Sequence, residues 1–259
     1  MKNPTSVLIT GASSGIGAAL ARAYARPGIV LALTGRNRER LGASSAIAAA
    51  AGATVVQRAL DLRDRGAIAS WIDEIEATYP LDLVIANAGI TGGHHASNVE
   101  ESLDEVERLI ATNFLAACHT AHAALPAMRR RRRGQVAFVS SLAAVRGLPS
   151  MPGYCASKAA MVAYAEAMRA WLRGEGIEIS VVMPGNVDTP MAARETGSQP
   201  MMIGAERAAA IIKRGLAQGR ARIAFPPSLY WLLRAATILP AAPVDKILNR
   251  MRVSVAAYE

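Results

Sequence analysis

Seven short, nearly continuous apolar segments alternate with longer alanine-rich ones along this chain, and few folds accommodate that order. Candidate strands fall at 6–10, 29–34, 54–59, 83–87, 136–140, 177–183 and 221–225; helical stretches fall at 16–25, 38–51, 65–78, 102–128, 154–173 and 206–218. Strands apolar on both faces must be covered on both, which makes a parallel sheet between two helical layers. The expected architecture is α/β, a doubly wound, Rossmann-type parallel sheet of about seven strands with helices on both faces. There is no internal repeat and no Gly/Ser linker; the alanine-rich stretch 43–53 reads as a low-complexity helix. One domain is therefore expected over 1–225, followed by an apolar helical extension over 226–259 that serves packing or an interface.

With 52% hydrophobic and 19% charged residues, the chain is too apolar for a disordered one. Two cysteines, Cys118 and Cys155, exclude a disulfide framework and fit a reducing compartment. The first residues run directly into a glycine-rich turn, with no room for a signal peptide, so a cytoplasmic location is expected. The net charge of +9 invites a nucleic-acid reading, and much of the excess sits in the arginine run 129–133. Cations at a helix C-terminus complement its dipole, and Gly134 would supply a left-handed cap. No aromatic residue interrupts the run, so it offers no stacking platform. No nucleic-acid partner is expected.

The first chemical motif is Thr10-Gly11-Ala12-Ser13-Ser14-Gly15-Ile16-Gly17, directly after an apolar strand. Glycines there allow a tight turn and let backbone N–H groups approach a pyrophosphate at a helix N-terminus. The spacing differs from the commoner Gly-x-Gly-x-x-Gly, and the Gly-Lys-Ser/Thr of a nucleotide-hydrolysing loop is missing. An NAD site places an acidic residue about 20 positions further on, against the ribose 2′-hydroxyl. This chain instead reads Thr34-Gly35-Arg36-Asn37, with no acid before Glu39. Arg36 can pair with a 2′-phosphate, and Ser13 and Ser14 can donate hydroxyls. The expected cofactor is NADP(H).

Further on, Ser140-Ser141 ends a strand and Tyr154-Cys155-Ala156-Ser157-Lys158 opens a helix. Tyr154 and Lys158 lie four apart and share a helix face. A free tyrosine ionises near ~10, and a neighbouring ammonium favours its anion. Such a tyrosine can exchange a proton with an alcohol or carbonyl at neutral pH.

Taken together, Thr10 to Gly17, Asn87-Ala88-Gly89, Asn113, Ser141, Tyr154-x-x-x-Lys158 and Pro184-Gly185-x-x-x-Thr189 occur in an order that resembles the short-chain dehydrogenases/reductases, with Tyr154 following Ser141 by 13 positions. The resemblance covers roughly residues 5–220. It implies that Tyr154 is the general acid/base, that Ser141 orients and polarises the carbonyl oxygen, and that Lys158 acts on the tyrosine and bonds the nicotinamide ribose. Asn113 would hold a relay water linking Lys158 to solvent. Asp61 and Leu62 match residues near the adenine. Asn87, Ala88 and Gly89 line the cofactor, and Pro184, Gly185, Val187 and Thr189 face its carboxamide.

Two departures stand out. The family's Asn-Asn-Ala-Gly reads Ala86-Asn87-Ala88-Gly89 here, and the chain runs on past the last strand where many members end in a short tail that builds a tetramer. Metal chemistry has little support: Cys118 and His122 lie four apart with no third ligand at a suitable spacing, and His94-His95 reads as a solvated pair. The expected metal is none.

The implied activity is hydride transfer between NADP(H) and a carbonyl or secondary alcohol. A 3-oxoacyl thioester reductase is the alternative within enzymes, and a non-catalytic NADP-binding regulator is the alternative outside them. An apolar substrate is suggested by the lid residues Met191, Met201, Met202 and Ile203, while Arg146 and Arg194 keep a carboxylate or acyl-carrier substrate in view. In the extension, Pro226, Pro227, Pro240 and Pro243 confine any helix to about 228–239. Twelve residues at ~1.5 Å each span about 18 Å, short of a ~30 Å hydrocarbon core. With Leu229, Tyr230, Trp231, Leu232 and Leu233 consecutive, that helix needs cover: its own domain, a second subunit of a homo-oligomer, or a membrane surface met peripherally.

Overall fold

In the computed structural model, the described residues are 2–93, 101–197, 199–249 and 254–255. Seven strands form one sheet, β1 (Ser6–Thr10), β2 (Val30–Gly35), β3 (Thr54–Ala59), β4 (Leu83–Ala86), β5 (Gly134–Val139), β6 (Ile177–Pro184) and, after three two-residue strands, β10 (Arg222–Phe225). The three short ones are β7 (Val187–Asp188), β8 (Glu195–Thr196) and β9 (Ile203–Gly204). Sheet order is β10-β6-β5-β4-β1-β2-β3, with every pair parallel. The chain reverses direction between β1 and β4, and in doubly wound sheets the crevice at that point receives ligands.

Helices cover both faces. One layer holds α1 (Gly15–Tyr24), α2 (Arg38–Ala50) and α7 (Ala205–Ala217), packed on a core that includes Leu20, Leu31, Ile85 and Ile212. The other holds α3 (Arg65–Thr78), α4 (Leu103–Leu109), α5 (Ala116–Arg131) and α6 (Pro152–Trp171), packed around Trp71, Phe138, Met161 and Val181. Strands β1 and β5 are buried at every position, as a sheet covered on both sides requires.

Two local expectations need correction. The helix foreseen over 102–128 is broken by a π turn at Ile110–Leu115, which separates α4 from α5. The left-handed residue after α5 is Arg132 (φ 50°), not Gly134, which already belongs to β5 and pairs with Ile177. Gly134 is needed for another reason: a Cβ there would collide with the Met128 side chain. The arginine run is held by acids, with Arg129 on Glu175 and Arg131 on Glu76, both at 2.6 Å, and Arg133 on Asp82 at 3.2 Å.

The extension also differs from expectation. It forms two helices, α8 (Pro227–Ala236) and α9 (Ala241–Leu248), and a two-residue strand β11 (Ser254–Val255). Pro227 opens α8 and Pro243 falls in the first turn of α9 instead of ending a helix, because a first-turn residue has no intrahelical N–H bond to lose. Tyr230 is buried in the core shared with Phe138 and Val181, and Leu229 and Leu233 pack against it. The opposite face is bare, with Trp231 67% and Ile238 86% exposed. Antiparallel pairing of β11 with β8 and the Arg146–Asp245 ion pair at 2.5 Å tie the extension to the body. Among the described residues, no helix is long and apolar enough to cross a membrane.

Candidate active site

The turn between β1 and α1 is shaped by its glycines. Gly11 has a positive φ of 68°, and a Cβ there would meet the Ala88 Cα at 2.8 Å. A Cβ on Gly17 would overlap the Gly11 carbonyl oxygen, so the turn and helix approach each other only without side chains. Thr10 Oγ1 accepts from the backbone N–H groups of Asn87 and Ala88, each at 3.0 Å, and Asn87 Nδ2 donates to the Thr10 carbonyl at 2.9 Å. The end of β4 is thereby locked to the turn. Helix α1 has no acidic residue in its first turn, and its N-cap Ser14 makes no side-chain capping bond. Its first N–H groups stay open to an anion, which the helix dipole also favours. These features fit the pyrophosphate of a dinucleotide.

A cavity of about 920 Å³ runs from this turn along the C-terminal ends of the strands. It is lined at one end by Gly11, Ser13, Ser14, Gly15, Ile16, Arg36, Asn37, Asp61 and Leu62, and further along by Asn87, Ala88, Gly89, Ser141, Tyr154, Lys158, Pro184, Gly185, Val187 and Thr189. Two expected residues, Gly17 and Asn113, stand behind the wall. Asn37 is largely committed to capping α2, its Oδ1 accepting from the Arg40 N–H at 2.8 Å. Asp61 pairs with Arg63 at 2.5 Å, and that guanidinium, more than the field of Arg36, holds its carboxyl below the ordinary range. Arg40 and Arg63 also line this end. Arg40 lies in the first turn of α2, four positions after Arg36, which precedes the helix cap Asn37.

At the middle of the cavity the catalytic candidates converge. Lys158 is buried on α6, its ammonium donating to the Val139 carbonyl at 3.1 Å and lying 5.8 Å from the centre of the Tyr154 ring. Burial pushes its pKa down to about 8. Ser141 caps the short helix Leu142–Ala144; its hydroxyl accepts from the Ala143 N–H at 3.1 Å and faces the Pro184 carbonyl at 3.5 Å. Asn113 is wholly buried in the π turn, a distortion that often marks functional sites. Its Oδ1 accepts from the Ile90 N–H at 2.8 Å, while Nδ2 donates to the Ile90 carbonyl at 3.1 Å and to Ser157 Oγ at 3.0 Å. Ser157 in turn donates to the Tyr154 carbonyl at 2.7 Å.

The far end is apolar. Leu148, Met151 and Met191 line it from the body, and Leu229, Leu233 and Leu239 from the extension. Met201 and Met202 are exposed instead, and Ile203 packs on the core beside α7. Arg146 is committed to Asp245, which takes that guanidinium from an anionic substrate. His122 shares a 2.6 Å hydrogen bond with the Tyr164 hydroxyl, and burial raises the Cys118 thiol to about 11, unlike a thiolate ligand. No group of three metal-ligating side chains occurs among the described residues. His94 and His95 lie outside them.

The family model for short chain dehydrogenase matches residues 5–199. An uncharacterized oxidoreductase of Myxococcus xanthus is 36% identical over 248 residues, 95% of this chain and 97% of that protein. Dehydrogenase/reductase SDR family member 7B of Bos taurus is 38% identical over 193 residues, 72% of this chain but 59% of that one. The fold is shared with a short-chain dehydrogenase/reductase from Burkholderia phymatum solved with NAD, at TM-score 0.82 and 24% identity over 92% of this chain and 94% of that one. It is shared too with a Sphingobium yanoikuyae short-chain dehydrogenase solved with NADPH, at TM-score 0.77 and 24% identity over 95% and 96%. A glycine turn at the switch point of a parallel sheet, a buried lysine beside a tyrosine one turn away, and matches of this extent make the chain an oxidoreductase of the short-chain dehydrogenase/reductase family, with a site for a nicotinamide dinucleotide.

Proposed function

We propose that the protein is an NADP(H)-dependent reductase of apolar ketones or aldehydes, or the reverse dehydrogenase of the corresponding alcohols. The observation that carries this reading is the single cavity in which Ser141, Tyr154 and Lys158 lie between an arginine-lined end and an apolar one. When bound, the cofactor supplies the hydride that reaches the carbonyl carbon. The Tyr154 hydroxyl gives its proton to the carbonyl oxygen as negative charge develops there. The Ser141 hydroxyl donates a hydrogen bond to the same oxygen and fixes its position.

Lys158 places a positive charge beside Tyr154 and holds the nicotinamide ribose. Asn113 is a positioning residue: its amide is spent on Ile90 and Ser157, which joins the loop after β4 to the catalytic helix. Arg36 and Arg40 hold the 2′-phosphate, at a strand end with no carboxylate to bond a 2′-hydroxyl. The bare outer face of α8 is a contact with a second copy of the chain, making a homo-oligomer.

The test is a spectrophotometric screen of NADPH oxidation over ketones, aldehydes and oxoacyl thioesters, with Tyr154→Phe as the control. The expected result is turnover of apolar carbonyls that Tyr154→Phe lowers by about a hundredfold or more, with NADPH binding nearly intact. Turnover by the variant within a few-fold of the parent would end the assignment. NADPH binding without turnover of any carbonyl would leave a non-catalytic regulator.

A further inference from the structure

The segment after β6 carries a carboxyl group that the proposed chemistry does not use. Glu195 opens β8 and lines the cavity; among the described lining residues, the other charged side chains are Arg36, Arg40, Asp61 and Arg63 at the dinucleotide end and Lys158 in the middle. Its Oε1 accepts from Thr91 Oγ1 at 2.8 Å, and Thr91 is wholly buried two positions past Gly89. Its other oxygen has no hydrogen-bond partner, and the side chain has no cationic partner, among the described residues. Along the same segment Pro190, Met191, Ala192 and Pro200 line the cavity, and Leu229 and Leu233 line it from the extension. Burial raises the Glu195 pKa, and the Thr91 bond opposes that only in part.

A carboxyl group in a largely apolar wall, with no cation beside it among the described residues, is costly unless something compensates it, and groups of this kind gather at functional sites. The Thr91 bond pins the segment after β6 to the loop after β4, but a neutral glutamine would pin it equally well. The acidic group and its unused oxygen need a different account. We infer that Glu195 is a specificity-determining residue that accepts a hydrogen bond from a second polar group of the substrate, a hydroxyl or a protonated amine. The substrate is then an amphiphilic ketone, with an apolar body against the extension and a donor group apart from the reacting carbonyl. This inference rests on the reductase reading above and deepens it.

The experiment compares 2-dodecanone with its 1-hydroxy, 4-hydroxy and 1-amino derivatives as substrates for the full chain with NADPH, in the parent and in Glu195→Gln. Affinity of each compound for the NADPH complex is measured in parallel by cofactor fluorescence. The parent is expected to prefer at least one donor-bearing ketone over 2-dodecanone by about tenfold in kcat/KM or in affinity. Glu195→Gln is expected to erase an amine preference by about ten- to a hundredfold beyond any loss on 2-dodecanone, and to weaken a hydroxyl preference less, because the amide oxygen still accepts. Equal losses on all four ketones would reduce Glu195 to a pin, and the absence of any donor preference in the parent would likewise overturn the inference. Binding preference without turnover of any carbonyl would instead refute the reductase reading and leave Glu195 its role.

Discussion

The Lys158 ammonium donates to the Val139 carbonyl at 3.1 Å from a position where it is almost fully buried, and burial brings its pKa from 10.5 to about 8. The native state therefore holds its proton less tightly than the unfolded chain does. For a base with a lowered pKa the cost to stability is fully present below about pH 8 and fades as pH rises toward 10.5. At neutral pH that cost is on the order of 3 kcal/mol.

Lys158→Met should consequently abolish turnover while stabilising the fold. The gain at pH 7 should be about 1–3 kcal/mol, since the Val139 carbonyl loses its partner in exchange. Urea denaturation at pH 7 and at about pH 9.5 checks both sign and trend: the advantage should shrink at the higher pH. A variant less stable than the parent at both values would contradict it.

The same lysine should shape the pH profile. Reductive kcat/KM should fall as pH rises through about 8, where the ammonium of the free enzyme loses its proton. A profile flat up to about pH 10 would remove Lys158 from the protonic machinery.

Arg36→Ala should weaken NADPH far more than NADH. Loss of one charge-assisted contact corresponds to ~1.5–3 kcal/mol, or roughly ten- to a hundredfold in affinity. Arg40→Ala should add a smaller loss in the same direction. Fluorescence titration with both cofactors decides it, and equal effects on the two would show that Arg36 does not read the phosphate.

Gly17→Ala should prevent dinucleotide binding with little change in the sheet. Its methyl would overlap the Gly11 carbonyl oxygen, so the turn must open where the pyrophosphate would sit. NADPH affinity near that of the parent, measured by calorimetry, would show that the turn can relax.

Truncation after Phe225 should raise KM for apolar ketones by about tenfold or more, because Leu229, Leu233 and Leu239 leave the cavity wall. Tyr230 leaves the core as well, so the outer face needs a gentler probe. Trp231→Ser with Ile238→Ser spares the buried side of α8 and should lower the mass seen by light scattering. Unchanged mass in that variant would show that no second copy uses this face.

The sheet was legible because its signals are local. A run such as Val7-Leu8-Ile9 closed by glycines reads as a doubly buried strand wherever it occurs, and β1, β3 and α3 have the bounds that periodicity and capping assign them. The glycine turn was legible for the same reason, since Gly11 and Gly17 meet within a few residues. Distant contacts were not. Thr91 and Glu195 are 104 positions apart, and only the fold brings the loop after β4 against the segment after β6. Arg146 looked free for a substrate until Asp245 of α9 paired with it. Gly134 looked like a helix cap, yet its lack of a side chain makes room for Met128. The extension shows the division most fully. Composition alone showed that 228–239 needs cover, but which face Tyr230 buries and which Trp231 leaves bare was set by where β10 delivers the chain. Local patterning determined the scaffold and the cofactor turn, whereas the roof of the cavity and the acid in its wall arose only where remote segments compete for the same space.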